Sequence, residues 1–138
     1  MAPPIATDRI YEALKTPRPD NEVAVLCDRL WPRGVRREDL EGVLWMKEWA
    51  PTGTLRQAFH SGQISPETFR KRYRDELVAR RDELQADLQR LGISPTKGKP
   101  SHPIKTLRLL TASREIEGSH VPVLRDYLEE LLSPRPMP

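Results

Sequence analysis

Two polar stretches of the chain hold side chains that could do chemistry. The first is Asp28-Arg29-Leu30-Trp31-Pro32-Arg33-Gly34, and the second is Ser113-Arg114-Glu115-Ile116-Glu117-Gly118-Ser119-His120. Asp28, Glu115 and His120 could move a proton. Arg29, Arg33 and Arg114 could grip an anion through their planar, forked donors. Trp31, set between two arginines, could stack on a ring. Ser119 would open a helix whose unpaired N–H groups favour negative charge. These groups suit a phosphorylated or carboxylated small molecule, with hydrolysis or group transfer as the natural reaction classes. A plainer alternative is that Arg–Asp and Arg–Glu pairs past strand ends only tie loops together, with His120 a cap or packing residue.

Cys27 and Arg33 have five residues between them. In cysteine phosphatases and rhodanese-like enzymes that spacing sets a thiolate in a ring of N–H groups, clamped by an arginine. Here the loop is poor in glycine and Pro32 removes one N–H. Cys27 also ends an apolar run, so a buried core thiol is expected. His60, His102 and His120 are too scattered for a metal motif, and no metal or cofactor is expected.

The elements that must position these residues can be read from patterning. Val23–Cys27 is a continuous apolar run, the mark of a strand buried on both faces of a parallel sheet. Lys105–Ala112 reads as a second strand, and residues 9–14 as a short first one. Residues 36–50 read as short helical or irregular pieces, and 54–60 as a short helix. Ser65-Pro66-Glu67 is a helix start, with Ser as N-cap and Pro at the first helical position. Phe69, Tyr73, Leu77, Leu84, Leu88 and Leu91 then form one apolar stripe up to Gly92. One unbroken helix would be about 39 Å long, so a bend near residues 79–82 is expected. A last helix starts near Ser119, with Val121, Leu124, Leu128, Leu131 and Leu132 facing inward. Strands separated by helices predict an α/β fold: one small domain with a short, largely parallel central sheet flanked by helices. Its core should span about residues 9–132, with tails at 1–8 and 133–138 and a proline-rich loop at 92–104. Ligands of such sheets bind outside the carboxyl ends of the strands, where both polar stretches fall.

The totals set bounds. A chain of 138 residues fits one domain. A mean hydropathy of -0.64 and the lack of any apolar run near ~18 residues argue against a membrane span. A formal charge of +3 permits an anionic partner without demanding nucleic acid. A single cysteine excludes an intrachain disulfide, and the start of the chain lacks a basic segment followed by an apolar one. A cytoplasmic protein is therefore expected.

The stretches VLCDRLWPRGVRREDL, LWMKEWAPTGTLRQAF, FRKRYRDEL and LRLLTASREIEGSHVPVLRDYL resemble the YeaO-like family, a domain of unknown function. The resemblance covers about residues 9–132 and implies a single small α/β domain, without implying an activity. Carried over by position, the family's hallmark residues fall on Asp28, Arg29, Trp31, Pro32, Arg33 and Gly34. In the middle of the chain they fall on Trp45, Lys47, Ala50, Pro51, Leu55, Arg56 and Phe59, then on Arg72, Tyr73, Glu76 and Leu77. Near the end they fall on Ala112 and His120. The family usually has Val where this chain has Cys27, and often Asp at Glu115. Besides a small anionic ligand at the strand ends, two other readings stand. One is a nucleic-acid-binding or regulatory module using the basic helix 66–91, whose charges more simply form a solvated, self-paired face. The other is a structural or partner-binding domain.

Overall fold

A computed structural model describes residues 5–15, 17, 20–93 and 106–132. Strand β1 (Ile5–Arg9) runs directly into a single turn of helix, α1 (Ile10–Ala13), and β2 is Glu22–Leu26. Two 3-10 turns, Arg37–Leu40 and Lys47–Trp49, bracket β3 (Val43–Trp45). Helices α2 (Gly53–His60), α3 (Pro66–Ala79) and α4 (Arg81–Arg90) precede β4 (Thr106–Thr111), and α5 (Val121–Leu132) follows it. The sheet order is β1-β4-β2-β3 and every pairing is parallel. This is the expected α/β fold in a single small domain. Among the described residues no helix is long and apolar enough to cross a membrane.

Alternation along the strands divides the core in two. Val25, Cys27, Leu107 and Leu109 face Leu77, Leu84, Leu88, Leu124 and Leu128 of the helices. Ala24, Leu26 and Leu110 face the other way, onto Ile10, Ala13, Val35 and Leu40. Both faces of β2 and β4 are thus covered, which is why these strands read as unbroken apolar runs.

The helix signals act where expected. The Ser65 hydroxyl accepts from the Thr68 N–H at 3.1 Å, and Pro66 opens α3. The predicted bend is a break at Arg80, whose backbone leaves the helical region (φ −108°, ψ 22°). Gly92 takes φ +79° after α4, a conformation that favours glycine.

Three boundaries differ from the sequence reading. The first strand is Ile5–Arg9 rather than 9–14: residues expected as a tail pair in register with Leu107–Thr111, and Ile10–Ala13 is helical. Five half-buried residues at a sheet edge carry no long apolar run to betray a strand. The segment 36–50 contains a real strand, β3, held by three residue pairs to β2. It is an edge strand with Leu44 and Trp45 substantially exposed, so its patterning is weak. In α5 the inward residues include Tyr127, while Leu131 is only partly buried. The proline-rich loop from residue 94 on, His102 and the tail 133–138 lie outside the described residues.

Candidate functional site

Asp28 follows the carboxyl end of β2 and binds the end of β4. Its carboxylate accepts from Thr111 Oγ1 at 2.7 Å and from the Ala112 N–H at 2.8 Å. It therefore fastens the two central strands where their ladder ends, one residue beyond the Cys27 N–H bond to the Leu110 carbonyl. His120, just before α5, donates from Nε2 to the Cys27 carbonyl at 2.7 Å, since a carbonyl can only accept. Its ring lies edge-on to Tyr73 at 5.7 Å, and Nε2 is 3.7 Å from Asp28 Oδ1. Burial holds the His120 pKa below the ordinary 6.5; Asp28 and the Cys27 carbonyl pull it back only in part. The imidazole is thus neutral at pH 7, and Nδ1 carries a lone pair.

Asp28 and His120 floor a cleft of about 300 Å³ at the carboxyl ends of β2 and β4. Arg29 crosses one side of it, donating from Nε to the Pro51 carbonyl at 2.8 Å and from Nη2 to the Ala50 carbonyl at 3.4 Å. The segment it grips is braced from behind. Tyr73 donates its hydroxyl proton to the Trp49 carbonyl at 2.5 Å, the Trp49 indole donates to Asp87 at 2.9 Å, and Glu76 accepts from both the N–H and the hydroxyl of Thr52. Glu115 and Ser119 close the opposite rim. The Ser119 hydroxyl donates to the Ile116 carbonyl at 2.6 Å and accepts from the Val121 N–H at 3.2 Å, capping α5.

Of the predicted site residues, Asp28, Arg29, Glu115, Ser119 and His120 meet at this cleft. Trp31, Arg33 and Arg114 do not line it, so the expected grip of Arg29, Arg33 and Arg114 on one anion, with Trp31 stacking on it, is not formed there. After Leu30 the chain turns through Pro32 and Gly34 (φ +78°) toward the α1 face of the sheet. There the Trp31 indole donates to the Val35 carbonyl at 2.7 Å and packs edge-on against Trp45 at 5.2 Å. Arg33 and Arg114 are exposed, and what the fold uses of Arg33 is its carbonyl, which accepts from Tyr11.

The sequence reading missed Arg56, Phe59, His60 and Phe69, all of which line the cleft. Arg56 and Phe59 sit among the hallmark positions, so the signal was present without a role attached to it. Arg56 is half-buried and has no side-chain partner among the described residues. The Phe59 and Phe69 rings stack at 4.2 Å.

Cys27 is buried and donates from Sγ to the Leu110 carbonyl at 3.4 Å. Burial, reinforced by the Asp28 charge, pushes its thiol well above the usual range, so it stays protonated. Although no metal motif is visible in linear spacing, the fold gathers Cys27, Asp28 and His120 so that one donor atom of each lies within 4.8 Å of the others. On the basic helix, Arg70 pairs with Glu67, and Arg74 is bidentate to Glu130 at 2.6 and 3.1 Å, tying α3 to α5.

A parallel α/β domain with a small cleft beyond its strand ends, walled by two stacked phenyl rings and lined by charges of both signs, is the class these features define. The chain belongs to the family described as the inactive DUF488-N3 subclade, which it matches over residues 4–136. It is 36% identical to the YeaO protein of Escherichia coli (strain K12) over 109 residues, covering 78% of this chain and 84% of that one. It is 32% identical over 122 residues to Mb3100c of Mycobacterium bovis and to Rv3073c of Mycobacterium tuberculosis, covering 87% of this chain and 89% of each. No solved structure matches the chain.

Proposed function

We propose that the cleft binds a small molecule with an anionic head and a flat apolar body, and holds it without turning it over. The observation that carries this reading is the Arg56 guanidinium, which lines the cleft with no side-chain partner among the described residues. An unpaired guanidinium beside stacked phenyl rings is a standing receptor for a carboxylate or phosphate. Arg29, fixed through Nε and Nη2, presents its remaining donors to the same space. Glu115 at the rim would accept from a hydroxyl or amine on the ligand body. Binding without turnover is supported by the state of the candidate reactive groups. The Ser119 hydroxyl is taken up as a cap, Asp28 as a fastener, and Cys27 is a buried, protonated thiol. The description of the family as inactive points the same way.

The test is thermal unfolding with phenyl phosphate or inorganic phosphate, both in the presence of a chelator. A ligand at ten times its Kd adds about 1.4 kcal/mol of stability, which raises Tm by roughly 4 °C for a domain of this size. Phenyl phosphate should act at lower concentration than phosphate, and Arg56→Gln should abolish both shifts. No shift with either compound, or an undiminished shift in Arg56→Gln, overturns the anion site. Steady release of phenol overturns the absence of turnover.

A further inference from the structure

The Cys27–Asp28–His120 group has no part in the anion contacts just described, yet it brings a carboxylate and an imidazole at the cleft floor together with the buried thiol behind them. We propose that these three side chains form a binding site for one divalent cation of the zinc class, with a fourth coordination position open to the cleft.

Four features argue for it. The donor set is mixed sulfur, oxygen and nitrogen, which suits a borderline-soft ion and not calcium or magnesium. The donor atoms already lie within 4.8 Å of one another. A tetrahedral zinc site needs about 3.3–3.8 Å between ligand atoms, so side-chain rotations that close roughly 1 Å suffice. The carboxylate is oriented in advance: Thr111 Oγ1 and the Ala112 N–H each hold Asp28 by a hydrogen bond, and two oxygens still offer lone pairs. Finally, the charges balance, since a thiolate and a carboxylate neutralise a dication while the neutral imidazole adds none. Without an ion, a thiolate beside Asp28 in a buried position is strongly disfavoured, and a dication reverses that sign. Asp28 and His120 line the cleft and Cys27 lies behind them, so the open position faces the space where a water or a ligand oxygen can enter.

The step balances simply. The Sγ–H proton, now directed at the Leu110 carbonyl, leaves to solvent as the Sγ–metal bond forms. The His120 ring proton passes from Nε2 to Nδ1 through solvent, so that Nε2, 3.7 Å from Asp28 Oδ1, exchanges its bond to the Cys27 carbonyl for one to the ion. Binding one equivalent of ion therefore releases about one proton at neutral pH.

Cobalt(II) is the probe, titrated into the metal-free protein without phosphate or any other anionic ligand. Saturation near one equivalent is expected, with a thiolate-to-cobalt charge-transfer band in the near ultraviolet, visible ligand-field bands and release of about one proton per ion. Zinc should bleach these bands by displacement. Cys27 is the chain's sole cysteine, so the near-ultraviolet band reports on this site alone. Cys27→Val keeps an apolar side chain of similar volume in the core; it should remain folded and lose the band. Asp28→Asn and His120→Gln should each weaken binding about tenfold or more. Glu38→Gln, in the exposed turn beside Leu40 on the other face of the sheet, should leave it unchanged. Ligand-field bands without the thiolate band, or no binding at about tenfold excess of ion over the folded wild-type protein, overturn the proposal. Because the phosphate experiment is run with a chelator and depends on Arg56, either reading can fail while the other stands.

Discussion

The sheet face carrying Val25, Cys27, Leu107 and Leu109 is covered by α3, α4 and α5, whereas the face carrying Ala24, Leu26 and Leu110 is covered by one turn of helix and the loops around Val35 and Leu40. The cleft belongs to the thick face. There α2, α3 and the start of α5 rise past the strand ends and leave a walled space between them. On the thin face the loop after β2 folds down to seal the core with Trp31. One loop therefore serves both faces: Asp28 and Arg29 reach the cleft, and the residues from Trp31 onward close the opposite side. Adjacent polar residues in a strand-end loop can have unrelated duties.

The largest test of this contrast is in the core. Leu109→Ala, at a fully buried position under three helices, should cost about 3–4 kcal/mol, against roughly 2 kcal/mol for Leu40→Ala, where thin cover can relax into the gap. Urea unfolding measures both, and equal costs would erase the distinction between the faces. Next in size is the fastener. Asp28→Ala leaves two strand-end donors without an acceptor and should cost about 2–3 kcal/mol, while Arg33→Ala, at an exposed side chain, should stay within about 0.5 kcal/mol. A large loss in Arg33→Ala would place that side chain back in the site.

A smaller effect comes from the buried histidine. His120 is held neutral by burial, so its folded pKa lies below its unfolded value near 6.5. Above pH 6.5 neither state takes up the proton and stability is at its full value. As pH falls from about 6.5 toward the depressed folded pKa, the unfolded chain gains a proton that the folded one resists, and stability declines. His120→Gln should flatten the slope below about pH 6.5. A slope that survives His120→Gln would contradict the buried, neutral imidazole. Smallest of all, Trp31→Phe removes the indole bond to the Val35 carbonyl and should cost about 1 kcal/mol without altering phenyl phosphate binding. Loss of binding there would mean that the two faces are coupled.

Much of the fold is legible along the chain. The runs at Val23–Cys27 and Lys105–Ala112, the Ser65-Pro66 start, the stripe from Phe69 to Leu88 and the stop at Gly92 each signal through neighbours a few residues apart. The strands at the two sheet edges were misplaced or missed, because a short half-exposed strand has no periodicity of its own and exists by pairing to a partner far away in sequence. In the site, the carboxylates and His120 stood out by type, while Arg56 and Phe59 sat on a stretch that reads only as a short helix and stood out by their hallmark positions alone.

Local patterning alone determined that this chain makes helices around a parallel sheet, and that polar groups crowd the loops after its two central strands. Which of those groups share a cleft was decided by the β2–β4 register, which sets Asp28 against Thr111 and Ala112, and by the turn at Pro32–Gly34, which carries Trp31 and Arg33 to the opposite face. The direction a side chain takes beyond a strand end depends on partners dozens of residues distant, and only the packed chain brings those partners together.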